Sequence, residues 1–172
     1  MEQIGSGTFR LVFAHPKQPN KLVVKVPRED MRRYGRIMNL EEIRAANLYP
    51  RLFPKTYSDD PDALVVDRAD PASSELILST FSTVKVLKDK GAFGAPDWLL
   101  RNLISLILDR IDLDDFTEQH RVRSKLVRRQ IEQDEILKSL ASAVDKLDIA
   151  IEDIRLENAG RSRRTGQFVI VD

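Results

Sequence analysis

The residue types that could do chemistry lie near the two ends of the chain. Close to its end, DIRLEN at 153–158 sets Asp153 and Asn158 five apart, and fourteen residues beyond Asn158 comes Asp172, after the apolar run FVIV. An acid that can accept or orient a hydroxyl proton, an amide oxygen and a strand-end carboxylate are hard oxygen donors, the ligand set of a magnesium–phosphate site. On that basis Asp172 reads as a metal ligand. At the other end, IGSGTFRLV places Gly5 and Gly7 ahead of a strand. A turn without Cβ atoms lets backbone amides approach phosphate oxygens, although ordinary hairpin geometry explains two glycines equally well. Lys25 sits among Val23, Val24 and Val26. Strand alternation sends it either to solvent, the default for a lone lysine, or to an interface between lobes. Glu42, one helix later, offers the carboxylate that a buried lysine requires.

The elements that must position these groups differ between the two halves. FRLVFAHP, KLVVKVP and DALVVDRAD are short, rich in Val and Leu, and bounded by Gly, Pro, Asn or Asp, as strands are. HPKQPNK at 15–21 reads as the turn between the first two. A helix is expected over LEEIRAANLY, with Asn39 as its N-cap, Glu41 and Glu42 in its first turn, and Pro50 and Pro54 beyond its end. From Asp97 onward the pattern is helical: DWLLRNLISLILDRI repeats Leu99, Leu103, Ile107 and Ile111 at intervals of four. One further long helix is expected through VRRQIEQDEILKSLASAVDKL, with Ile136, Leu140, Val144 and Leu147 on one face. The expected class is α+β, with a strand-rich lobe at 1–70, a helical lobe at 71–172 and DRADPASSE as the linker.

Composition limits the partners. With 172 residues, 42% hydrophobic, the chain can bury one core or divide it between two small lobes. Its 28 Lys and Arg against 27 Asp and Glu create no overall field towards nucleic acid or membrane, so an anionic partner must be bound locally. There is no cysteine, hence no disulfide framework and no thiolate zinc site, a usage compatible with the cytoplasm. MEQIGSGTFR has no signal-peptide pattern, and LLRNLISLIL is too short and too interrupted for a membrane span, so a soluble protein is expected.

Taken in order, G-x-G-x-x-x-x-V (Gly5, Gly7, Val12), the strand lysine Lys25, the helix glutamate Glu42, D-x-R-x-x-N (Asp153, Arg155, Asn158) and the strand-final Asp172 resemble the protein-kinase fold. Within that superfamily, IGSGTFRLVFAHPKQPNKLVVKV resembles the small bacterial kinase-like proteins of the PhoP regulatory network family. The kinase resemblance covers nearly the whole chain, and the narrower one its first 57 residues. The resemblance implies ATP and Mg2+ as cofactors. Gly5, Gly7 and Val12 would cover the nucleotide, Lys25 would hold its α and β phosphates, and Glu42 would pair with Lys25, with Glu41 a close rival. Val65 to Arg68, and so Val66, Asp67 and Arg68, would form a hinge that meets adenine through backbone groups. Asp153 would be the catalytic acid–base residue, with Arg155 beside the transferred phosphoryl group and Asn158 and Asp172 as metal ligands.

The sequence departs from the kinase pattern in three places. Arg10 replaces the third loop glycine, Ile151 and Glu152 replace the His-Arg pair before the aspartate, and no activation segment or later helices follow Asp172. The second lobe is therefore expected to be truncated, with the helices between 76 and 147 covering the catalytic-type loop from the other side or a partner doing so, and with self-association through the surface where the missing helices would pack. Two functions follow. One is a minimal phosphotransferase moving the γ-phosphoryl group of ATP to a protein hydroxyl or to itself; the other is a pseudokinase-like module that binds nucleotide or a protein partner without turnover. A fragment of a longer protein would carry the same residues. The final carboxylates at Asp172 would either gather a cation or fray.

Other polar features read as structural. His15 is a turn residue, and His120 lacks a second ligand at helical spacing. HRVRSKLVRR is a solvated basic face balanced by the acids of DLDDF and IEQDE, which argues against nucleic acid as a partner. Arg161, Arg163 and Arg164 form a turn between strands, Trp98 and Phe116 anchor the core, and DKGAFGAPD is a flexible connection.

Overall fold

A computed structural model describes residues 1–171. It is a mixed α/β protein whose described residues form a four-stranded antiparallel sheet, a three-stranded sheet and seven helices. They divide into two compact units, Met1–Asp70 with Arg161–Val171, and Pro71–Gly160. Arg161–Val171 therefore belongs to the first unit, although it follows the helical half in sequence.

In the first unit β1 (Gln3–Ser6), β2 (Arg10–Ala14), β3 (Leu22–Pro27) and β4 (Leu64–Asp67) pair in that order. The 15–21 segment makes the expected connection, with the amides of Lys17 and Gln18 donating to Nδ1 of His15. Helix α1 (Arg32–Leu48) packs on this sheet over a core of Val23, Leu64 and Val66, joined by Val12 and Ile43. The helix begins seven residues before the expected cap, and Asn39 is buried in its middle. Its amide is used in tertiary bonds rather than as a cap: Nδ2 donates to the carbonyls of Lys25 (3.3 Å) and Pro61 (2.8 Å).

Gly35 lets α1 approach the sheet closely. A Cβ there would lie 2.6 Å from the carbonyl oxygen of Phe9 and 2.7 Å from Cβ of Pro27. Gly35→Ala is expected to destabilise the protein by about 1–3 kcal/mol, the usual cost of overpacking, read as a lower denaturant midpoint with an unchanged slope.

The stretch expected to be a linker is more ordered than that. β5 (Ala69–Pro71) joins β6 (Ala159–Ser162) and β7 (Phe168–Ile170) in the second sheet, in the order β5–β6–β7, and Ser73 caps α2 (Ser74–Thr80) by accepting from the amide of Leu76. The remaining helices are α3 (Ser82–Asp89), α4 (Pro96–Ile107), α5 (Leu113–His120), α6 (Ser124–Gln133) and α7 (Glu135–Lys146). In α4 the apolar stripe holds for Leu99 and Leu103. The helix then ends at Ile107, and Asp109 takes a left-handed φ of 54°, so Ile111 lies outside it.

The expected long helix is two helices broken at Asp134. The carboxylate of Asp134 accepts from the amides of Leu137 (3.0 Å) and Thr83 (2.9 Å) and from the hydroxyl of Ser82 (3.2 Å). A single buried anion thus satisfies the first turns of both α3 and α7, where the helix dipole favours negative charge. Leu140 and Val144 are buried as the pattern requires, whereas Ile136 is exposed.

DKGAFGAPD is held in place rather than loose. Nζ of Lys88 donates to the carbonyls of Ala92 (2.8 Å) and Gly94 (2.7 Å), and Gly94, at φ 102°, lies against the Trp98 ring, where no Cβ would fit. His120, fully buried between Trp98 and Phe116, faces the carbonyl of Phe93 through Nδ1 at 2.8 Å and the amide of Asn102 through Nε2 at 2.9 Å. A carbonyl only accepts, so Nδ1 carries the proton and Nε2 accepts from Asn102. Burial lowers the imidazole pKa, the Phe93 carbonyl partly opposes that, and the charge of Lys88 adds to the lowering. On acidification the unfolded chain takes up this proton first. Stability is therefore full above the unfolded value of about 6.5 and falls as the pH drops below it, until the lower folded value is passed. Denaturation midpoints measured from pH 7.5 to 5 should fall in the wild type and stay flatter in His120→Gln.

Candidate functional site

Strand and helix phase bring the first group of candidate residues together within the first unit. Lys25 shares a face of β3 with Val23, and its cross-strand partner is Val12. On α1, Gly35, Asn39, Glu42 and Ala46 fall on one face, so Glu42 turns inward while Glu41 stays exposed. Nζ of Lys25 lies 2.9 Å from both carboxylate oxygens of Glu42 and donates a further bond of 2.8 Å to the carbonyl of Val171. Arg10 joins them: Nη1 donates to Glu42 Oε2 at 2.7 Å and to Asn39 Oδ1 at 3.1 Å. The side chains of Arg10, Lys25 and Glu42 are 7%, 8% and 9% exposed, so two cations share one carboxylate out of contact with bulk water.

Arg10 is thus part of the ion-pair cluster rather than a surface cation of the glycine loop. Asn39 is the member that sequence reasoning misplaced; its signal was an amide on the inward stripe of α1. The loop itself is a tight hairpin, in which the amide of Gly7 donates to the carbonyl of Arg10 (2.8 Å) and Gly5 is paired with Val12. Val12 packs against the core.

The expected hinge residues are heavily engaged within the chain. Val66 pairs with Val23 on one side and Thr56 on the other. The amide of Asp67 donates to the carbonyl of Lys55 (3.0 Å) and that of Arg68 to the carbonyl of Lys21 (2.8 Å), while the carbonyl of Arg68 accepts from the amide of Arg163 (2.9 Å). The buried carboxylate of Asp67 accepts from the Tyr57 hydroxyl (2.9 Å) and from Nε of Arg164 (2.7 Å). Partial burial and this hydrogen bond raise the Tyr57 pKa, and the same carboxylate raises that of Arg164. Arg163 in turn meets Asp70 at 2.7 Å, so both arginines of the β6–β7 turn hold acids of the first unit.

The second group lies in the other unit, on two successive 3-10 turns, Ile151–Asp153 and Leu156–Asn158, anchored by buried Ile154. Nδ2 of Asn158 donates to the carbonyl of Asp153 at 3.0 Å, which fixes the amide and leaves Oδ1 as an acceptor. Nε of Arg155 donates to the carbonyl of Glu152 at 2.7 Å, and its guanidinium lies 3.9 Å from the Asp153 carboxylate. The Asp153 side chain is 52% exposed, which keeps it open to a reacting group and makes the ion pair weak. Asp172 lies outside the described residues. Among the described residues no three His, Cys, Asp or Glu side chains gather to hold a metal, and this segment offers as hard oxygens Asn158 Oδ1 and the carboxylates of Glu152, Asp153 and Glu157.

In the basic run at 120–129, Arg121, Arg123, Lys125, Arg128 and Arg129 are exposed, with Arg121 over the Phe93 ring; of the neighbouring acids, Asp134 is used as a cap and Glu135 pairs with Lys138. No helix of the described residues is long and apolar enough to cross a membrane. Comparison with known proteins finds no matching family model, no similar curated protein and no similar solved structure.

Proposed function

We propose that the chain is a protein-kinase-like, ATP-dependent phosphotransferase. The observation that carries this reading is the ion pair of Lys25 with Glu42 at 2.9 Å, formed between a central strand and the helix after it and buried on both sides. A buried lysine held by a carboxylate presents a fixed ammonium, the group that positions nucleotide phosphates. The Asn158–Asp153 bond supports the other half of the assignment, since it leaves an oriented amide oxygen next to an exposed acid. In this reading Lys25 holds phosphate oxygens, Asp153 takes the proton of the accepting hydroxyl, Arg155 balances charge beside it, and Asn158 and Asp172 hold magnesium. The metal supplies charge neutralisation at the phosphates.

A pseudokinase-like binding module is the second reading, favoured by the engaged backbone of Asp67 and Arg68 and by the use of Arg10 on Glu42. Incubation with magnesium and γ-labelled ATP separates the two. Label transfer to the protein or to a generic acceptor that disappears in Asp153→Ala and Asp172→Ala supports the phosphotransferase. Magnesium-dependent ATP binding without transfer, lost in Lys25→Met, supports the module. Neither transfer nor binding would overturn the phosphotransferase and leave only a module that acts by docking a protein partner.

A further inference from the structure

The inward stripe of α1 holds the ion-pair cluster, and its outward face is unusually apolar. Tyr34, Ile37, Leu40 and Leu48 are 58%, 42%, 51% and 54% exposed, four large side chains on one helix where scattered single ones are the norm. The flanking charges divide into two sets. Arg32 and Arg36 both reach Asp62, at 3.2 Å, and are engaged within the chain. Arg33, Glu41 and Arg44, the last near the C-terminal end of the face, are exposed, and none makes an ion pair among the described residues.

The spacing of these residues is symmetric about Ile37. Tyr34 and Leu40 lie three positions to either side, and Arg33 and Glu41 four to either side. A two-fold axis through Ile37 that runs two such helices antiparallel sets Arg33 of each copy at the level of Glu41 of the other. It also sets Tyr34 at the level of Leu40, with the two Ile37 side chains at the centre. Parallel pairing would instead bring Arg33 to Arg33 and Glu41 to Glu41, which like charges disfavour. We propose that the outer face of α1 is a self-complementary surface through which two copies of this chain pair antiparallel about Ile37. One helix face per copy sits at the low end of specific interfaces, below about 1,200 Å2 in total, so the dimer forms and dissociates with concentration.

Sedimentation across a wide concentration range tests this. The expected result is a weight-average mass that climbs from 19.7 kDa towards twice that value. Ile37→Asp should hold the protein at the monomer mass. Because Ile37 is exposed, that variant should keep the wild-type circular dichroism and denaturation midpoint. Arg33→Glu and Glu41→Arg should each weaken association by about tenfold, and the double exchange should restore it, as opposite charges set register. A monomer at every concentration would overturn the proposal and leave the face to a different partner. So would a dimer indifferent to Ile37→Asp, or a double exchange no better than the single ones.

Discussion

Glu42→Ala is expected to cost about 3–5 kcal/mol of stability, the usual effect of removing one member of a buried ion pair, and to be the most damaging single change in the first unit. The size follows from what stays behind. Among the described residues Lys25 then keeps the Val171 carbonyl, an uncharged acceptor, while its ammonium stays away from bulk water, and Arg10 loses its 2.7 Å bond to the carboxylate. A desolvated ammonium without its anion dominates over the small loss of side-chain volume. Adding Lys25→Met to Glu42→Ala should recover part of the loss, because it removes that ammonium. Equilibrium denaturation of the two single variants and the double one measures this as a coupling energy. A loss of less than about 1 kcal/mol in Glu42→Ala, typical of an exposed pair, would show that the cluster is open to water.

Asp134→Ala should cost the second unit about 2–5 kcal/mol. It strands two buried amides, those of Thr83 and Leu137, and each unsatisfied group costs about 1–3 kcal/mol. It also removes a negative charge from two helix N-termini at once. Asp134→Asn keeps an acceptor oxygen and should recover a large part of the loss in thermal or chemical denaturation. If the alanine variant unfolds at the wild-type midpoint, water must replace the carboxylate at both helices.

How far the sequence could be read depended on whether a residue carried a local signal. Strands β2, β3 and β4 and the 15–21 turn were legible, since β-branched runs bounded by Pro and Asn have few alternatives, whereas β1 and β5, which lack such runs, were read as a glycine turn and a linker. The pairing of Lys25 with Glu42 was legible because valines on both sides of a lysine require a partner for its charge. The choice between Glu42 and Glu41 depended on which face of α1 meets the sheet, and Gly35, which marks that face, lay outside the expected helix. No side chain caps α1 at Met31, so Asn39, a strong capping type, drew the expected start eight residues too late. Asp134 broke a continuous helical pattern with no Pro or Gly to mark it, and Asp109 ended α4 in a conformation usually given to glycine. At Asp153 to Asn158 the spacing conveyed the ligand types. The bond from Asn158 to the Asp153 carbonyl depends on two 3-10 turns that no periodicity announces.

The first unit is interrupted in sequence, since Pro71–Gly160 intervenes before Arg161–Val171 returns to it. On the ribosome, at about 5–20 residues per second, the segment up to Asp70 therefore waits roughly 5–20 seconds for its last strand. During that interval the amide of Ile170 has not reached the carbonyl of Leu52, and Lys25 lacks its third acceptor, Val171. The helical unit is contiguous in sequence, so its own pairings, such as α4 with α7 and α3 with α6, can form without that last segment. The nascent chain thus passes through a stage in which the later-made unit is complete and the earlier-made one is still open beside its central lysine. At that stage a chaperone or a cognate anion would have most to stabilise.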